Sequence, residues 1–374
     1  MTETLLTKWE KKSNHVVAPK VTTRRPPSSV LLYGTLFMVQ LIFVLWLFVA
    51  KFTMSEFNIT PIVFAAYREV LASMVLVAIV TTGCSSNGDG LVVTKGDIRQ
   101  YLLPFLFLGF LCFINVACYI LALNKVPSFN VAVFSTTQPI FATIIAYLCG
   151  YENMTVWKAL SVSMTCLGAI LTVWLSNVTV IASDSGVLVD EQLSSSQQQQ
   201  QQLHLGNTLL LVSFFAGGLM WVVQKRLLME IPSPITITAI TYTIASVLTV
   251  TVALIVTPSV SDFYIKSLFV WAAIGYAVLF ATVLNYSAMA WANQWANPST
   301  VTLSLGLQPL LTALVNTLSG GPAFIPPHML SCGLIVAGLG VKVYDEERKV
   351  NNNIMEHTTR RENLEEKQPL ATRL

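Results

Sequence analysis

Charge is scarce in this chain. Asp, Glu, Lys and Arg make up 11% of its 374 residues, less than half the roughly 25% of a soluble domain, and most of them sit at the two ends. Between the ends run uncharged stretches, several of which reach the ~18–20 apolar residues that cross a bilayer. With 54% hydrophobic residues and a mean hydropathy of +0.63, a soluble two-domain enzyme of this length is excluded. The chain reads as a multi-pass membrane protein, with the lipid bilayer as its first partner.

Other absences narrow the chemistry. No Asp falls within an apolar run, and none of the four histidines (His15, His204, His328, His357) lies well inside one. Neither GxSxG nor HExxH occurs. No general base, activated nucleophile or metal site can be assembled from what remains, so no enzyme activity, cofactor or metal is expected. The six cysteines (Cys84, Cys112, Cys118, Cys149, Cys166, Cys332) make no CxxC or Cys/His spacing and read as small buried apolar side chains. A net charge of +3 without a basic groove excludes nucleic acid. Residues 1–29 hold six Lys/Arg and no apolar core, so no cleavable signal peptide is expected.

What is present is a series of apolar runs. They predict ten helices, near 30–50, 61–82, 101–122, 128–148, 157–175, 207–228, 234–257, 267–290, 298–319 and 326–344, because a span in lipid must satisfy its own backbone hydrogen bonds. The chain then divides into a cytoplasmic N-terminal tail (1–29), five helices (30–175), a linker (176–206), five more helices (207–344) and a charged C-terminal tail (345–374). The linker carries Ser194 to Ser196, then Gln197 to Gln202, and no Lys or Arg; its polarity and low complexity predict a flexible segment.

Charge sets the orientation. With the N-terminus inside, 18 of the 22 Lys/Arg are cytoplasmic, three (Lys51, Lys125, Lys266) are on the other side, and Arg68 lies within a span. The positive-inside rule therefore predicts cytoplasmic termini and an extracytoplasmic linker. Asn177-Val178-Thr179, a possible N-glycosylation acceptor pattern, falls on the far side. No retention or peroxisomal motif ends the chain, and the plasma membrane is expected over an internal one.

An internal repeat emerges at a shift of 170 residues. Asn115 matches Asn285, Ala122 matches Ala292, Val131 matches Val301, Gln138-Pro139 matches Gln308-Pro309, Gly150 matches Gly320 and Gly168 matches Gly338. Five is odd, so a second unit of five helices enters the membrane from the opposite side. The expected fold is thus all-α integral membrane, ten transmembrane helices as two five-helix inverted-topology repeats. Such repeats recur in secondary transporters, with the substrate near the midplane where the repeats meet.

The same residues carry a family likeness. The first unit reads Pro61 to Glu69 with Arg68 inside it, Ala122-Leu123 through Pro127-Ser128, Gln138-Pro139, then Gly150-Tyr151-Glu152-Asn153-Met154-Thr155. The second has Trp221, Gln224, Pro234, Asn297-Pro298, Gln308-Pro309 and Gly338-Leu339-Gly340. This order resembles the EamA type of the drug/metabolite transporter superfamily, and within it the plant nodulin-like, amino-acid-exporting branch. The resemblance covers about residues 30–344 and implies carriage of small organic metabolites. The second unit departs from the pattern: it has Ser319-Gly320-Gly321-Pro322 where an acidic residue is expected, and Thr238 where an arginine would match Arg68.

Candidate substrate-path residues follow. Charges inside a bilayer cost at least ~2.5 kcal/mol each and are functional candidates by default, which singles out Arg68 and Glu69; a structural tether is the competing reading for both. Being ~100° apart on a helix, they are not expected to be each other's sole partners. Pro139 and Pro309 donate no backbone hydrogen bond and crowd the carbonyls of Ser135 and Leu305, and Gln138 and Gln308 beside them offer donors and acceptors. Asn115 and Asn285 could line the same cavity or join helices. The family likeness adds Tyr119, Trp221 and Gln224. The remaining aromatics are expected to pack or anchor, and Gly34, Gly217, Gly218 and Gly338 to admit close helix contact.

The expected function is secondary transport of small polar organic metabolites such as amino acids, by a facilitator or exchanger, with proton coupling through Glu69 as the alternative. A nucleotide-sugar or sugar-phosphate antiporter would want more cations near the cavity, and Lys125, Lys225 and Arg226 are the ones placed for its mouths. A non-transporting receptor or scaffold fits an inverted repeat poorly. Oligomeric state is left open between monomer and homodimer.

Overall fold

The structure, a computed structural model, describes residues 27–82, 101–152, 154–165, 167–168, 171, 190–257, 259–318, 329–338, 340–342, 344–345 and 348. Among them are helices and no strand. Helices α1 (Ser29–Glu56), α2 (Pro61–Thr81) and α3 (Leu102–Leu123) are followed by α4, which is built from Ser128–Ser135 and Thr137–Leu148. Residues 156–165 form α5. The second set comprises α6 (Asp190–Glu230), α7 (Pro234–Val256) and α8 (Leu268–Trp295). It ends with α9 (Pro298–Leu303, Ser304–Leu307 and Gln308–Leu318) and α10 (Met329–Lys342). Eight of these, α1 to α4 and α6 to α9, are long and apolar enough to cross a membrane. Large apolar side chains such as Leu103, Val247 and Leu254 stay exposed on the outer faces, as a lipid solvent allows.

Proline sets many of the boundaries. Pro61, Pro234 and Pro298 stand at the first helical positions of α2, α7 and α9, where the missing N–H is no loss and φ is already helical. Inside a helix the same residue breaks it. Pro139 interrupts α4 at Thr136, and Pro309 turns the preceding Ser304–Leu307 into a 3-10 segment. The Leu305 carbonyl, crowded by Pro309, accepts from Ser135 Oγ at 3.5 Å. In α8, residues Ala277–Leu284 form a π-helical stretch, a widened coil that often accompanies function.

Two expectations shift. The glutamine run is helical, because α6 begins at Asp190 and runs back through Gln197 to Gln202. Glutamine is a good helix former, and Lys125 Nζ bonds Gln202 on this helix. Asn177 lies outside the described residues. Gly34 makes no close contact either: a Cβ there would meet nothing within 4 Å.

Contacts between the two sets repeat in pairs. The α3–α6 packing has its counterpart in α8–α1, while α2 packs on α7 and α4 on α9. Asn115 Nδ2 donates to Ser213 O at 2.9 Å, and Asn285 Nδ2 to Val39 O at 3.1 Å. Lys51 Nζ caps the carbonyl of Val126 at 2.8 Å, and Lys225 Nζ that of Ala296 at 2.8 Å. Between α5 and α10, a Cβ on Gly168 would lie 2.9 Å from Ser331 O, and one on Gly338 would lie 2.9 Å from Ser161 O. These small residues let the two helices approach closely where no hydrophobic effect drives them together.

Candidate functional site

Where the two sets meet, the helices line a cavity of about 70 Å³, space for a handful of waters. Its polar lining is Arg68, Asn115, Gln138 and Gln308; its aromatic lining is Phe43, Trp46, Tyr119, Phe214, Trp221 and Tyr286. Seven helices therefore contribute side chains, four from the first set (α1 to α4) and three from the second (α6, α8 and α9). Leu305, the residue bonded to Ser135, also lines it.

Arg68 is the charged member. Its side chain is 4% exposed, and Nη2 stands 3.8 Å from Oε1 of Glu69, which is fully buried. Each has a second partner, as their divergence on the helix requires. The Arg68 guanidinium lies 5.5 Å from the Trp46 ring centroid, a cation–π contact. Trp46 in turn stacks on Phe64. Glu69 Oε2 accepts from the Thr249 hydroxyl of α7. Nε and Nη2 of Arg68 and Oε1 of Glu69 have no hydrogen-bond partner.

The amides form a second group. Gln308 Nε2 donates to Gln40 Oε1 at 2.9 Å, and Gln40 Nε2 donates to Ser304 Oγ at 2.7 Å. This chain ties the broken part of α9 to α1. Gly217 lies against the other cluster, where an added Cβ would come within 2.7 Å of Asn115 Nδ2 and 2.9 Å of Gln138 Nε2. On the aromatic wall, Trp221 stacks on Tyr286 at 6.1 Å, and Tyr119 meets Phe214 edge-on at 6.2 Å.

The structure thus brings together Arg68, Asn115, Tyr119, Gln138, Trp221 and Gln308. It places four other candidates elsewhere. Asn285 is buried and bonded to α1, outside the cavity lining. Gln224 accepts from Asn293 at 3.3 Å. Pro139 and Pro309 are buried in α4 and α9, shaping the lining without joining it. Glu69 reaches the cavity only through Arg68. Lys225 is held by the carbonyls of Asn293, Gln294 and Ala296. Sequence reasoning missed Gln40 and most of the aromatic wall. A glutamine in a 28-residue apolar helix was the available signal for the first; no periodicity separates lining aromatics from packing ones.

A second polar cluster joins the halves at the end of α4. Glu152 accepts from Lys158 Nζ at 2.8 Å, from the Ser299 hydroxyl, and from the Ser299 backbone N–H at 3.3 Å. One carboxylate therefore caps the N-terminus of α9, where anions are favoured. Thr155 caps α5 by accepting from Lys158 N at 3.3 Å and donates to Asp345 Oδ2 at 2.9 Å. Burial pushes the Glu152 carboxyl up, but hydrogen bonds from Lys158 and Ser299, with the charge of Lys342, outweigh it and hold it below its ordinary value. A depressed carboxylate contributes stability that is present above its unfolded value, roughly 4.3, and is lost as pH falls through the folded one. Glu152→Gln should lower Tm in detergent at neutral pH, since it strands the buried Lys158, a change of roughly 3–5 kcal/mol. It should also flatten the loss of Tm on acidification. An unchanged acid limb in Glu152→Gln would count against this assignment.

The comparisons agree with this architecture. The EamA-like transporter family matches the chain twice, over residues 28–174 and 204–343. A solved crystal structure, 14% identical, has a similar fold with a TM-score of 0.60, covering 87% of this chain and 99% of its own. Two family units, eight membrane-length helices and a central cavity lined from both units lead to one assignment: the chain belongs to the EamA-like transporter family and is a multi-pass membrane transporter.

Proposed function

We propose that the chain is a secondary carrier of small polar organic metabolites, the class that includes amino acids, working by alternating access of two five-helix units of inverted topology around the central cavity. In this reading all ten helices cross the bilayer, both termini are cytoplasmic and the plasma membrane is the site of action. The observation that carries it is the paired hydrogen bonding between the two units, Asn115 to α6 and Asn285 to α1. The interface of Asn115 with α6 and that of Asn285 with α1 are equivalent, so exchanging the conformations of the two units converts a cavity open on one side into one open on the other. The cavity volume of about 70 Å³ is smaller than the several hundred Å³ of a typical ligand site. In this reading the cavity widens to admit a metabolite as the units part. Among the described residues, one cation and three amides line the cavity and favour a small polar solute over a polyphosphorylated one.

Counterflow in proteoliposomes tests this. Vesicles preloaded with an unlabelled metabolite mixture would face labelled amino acids, nucleosides, sugars and organic acids in turn. Saturable trans-stimulation is expected for one pool, reduced roughly 10–100-fold in Gln138→Ala/Gln308→Ala by the loss of two cavity hydrogen-bonding groups. Absence of flux for every pool, from protein shown to be folded, would overturn the carrier reading.

A further inference from the structure

The charge arrangement beside the cavity limits which solutes it can hold. Arg68 is the one charged side chain among the described lining residues, and Glu69 balances it from behind at 3.8 Å, beyond hydrogen-bond distance. Two guanidinium nitrogens and one carboxylate oxygen thus lack hydrogen-bond partners in a buried site. A carboxylate is the natural complement of a guanidinium, which binds it through two parallel bonds. An ammonium group has no carboxylate partner among the described lining residues, so a net anion complements the site better than a zwitterion.

Resting on the carrier reading, we propose that the cavity takes an organic monocarboxylate with an apolar or aromatic body, and that one proton enters with it. The substrate carboxylate replaces Glu69 as the counter-ion of Arg68. Glu69 then accepts a proton from the aqueous side to which the cavity is open, forming one O–H bond, and the buried site remains neutral. The surroundings of Glu69 accommodate both states. When Glu69 is ionised, the Thr249 hydroxyl donates to it. When it is protonated, Glu69 donates to Thr249 Oγ1, whose own hydrogen turns to the Ala245 carbonyl, already 3.0 Å away. A phosphate dianion would leave the site one charge short of neutrality. The other titratable groups within electrostatic reach of Glu69 are Arg68 on α2, Cys112 on α3, Tyr242 on α7 and Tyr286 on α8.

Isothermal titration of the detergent-purified full chain tests the proposal, with 3-phenylpropionate, phenylalanine and phenyl phosphate as probes, in buffers of different ionisation enthalpy. The expected result is binding of 3-phenylpropionate that tightens by up to about tenfold per pH unit of acidification, with uptake of one proton. Glu69→Gln should bind it with no proton uptake and no pH dependence. Arg68→Gln should lose binding, while Arg68→Lys, which keeps the charge and confirms a folded site, should retain a weakened affinity. Phenylalanine binding as tightly as 3-phenylpropionate without proton uptake would overturn the proposal and leave the carrier reading intact. So would failure of 3-phenylpropionate to bind a protein that still shows counterflow. Loss of both binding and counterflow removes the carrier reading as well.

Discussion

Arg68→Met is expected to destabilise the protein sharply and to abolish counterflow, whereas Arg68→Met/Glu69→Leu should recover the stability and not the transport. The single substitution leaves Glu69 fully buried beside Thr249 with no cation, and breaking a buried pair costs roughly 3–5 kcal/mol. Replacing both members with apolar side chains removes two charges from a low-dielectric interior, which is commonly neutral or stabilising by about 1–4 kcal/mol. Transport follows a different rule, because the cavity loses its one cation in both variants. Tm by intrinsic fluorescence and counterflow on the same preparations separate the two effects. A double variant that transports as well as the wild type would make the pair structural only.

The neighbouring glycines of α6 should respond in different ways. Gly218→Ala would place a Cβ 3.0 Å from Ala142 N and 3.1 Å from Gln138 O. Those are backbone atoms of α4, so the two helices must separate. Overpacking of this kind costs about 1–3 kcal/mol, more than the ~1 kcal/mol gained from Ala over Gly within a helix. At Gly217 the added Cβ meets the amide ends of Asn115 and Gln138 instead. Side-chain ends give more readily than backbone, though the Asn115 end must loosen its bond to Ser213, so Gly217→Ala should lower Tm less than Gly218→Ala and change KM for the transported solute. The check is Tm together with concentration-dependent counterflow for each variant. Equal effects of the two substitutions on Tm would show that the amides are as rigid as the backbone.

Comparison of particular residues shows where sequence reasoning reaches. Arg68 was legible because a cation in an apolar run stands out against its neighbours. Gln138 and Gln308 were legible because each precedes a proline in a matched position. Asn115 and Asn285 matched equally well, yet only Asn115 lines the cavity. Their bonds to α6 and α1 depend on how helices from different parts of the chain lie side by side. Trp46, Trp221 and Tyr286 share their residue type with a dozen packing aromatics, and which face of a helix turns inward is not encoded by a uniformly apolar pattern.

By itself the sequence determined the membrane class, the helices and the twofold repetition, because these depend on local hydropathy, proline placement and residue spacing. It also determined that a charge pair had to be held inside the bilayer. Only the tertiary structure decided which side chains share the cavity, that Glu69 stands behind Arg68 with Thr249 as its donor, and that Glu152 caps the helix of the other unit. The Glu69–Thr249 and Glu152–Ser299 contacts join residues 180 and 147 positions apart, set by the packing of one unit against the other, and no local pattern carries that information.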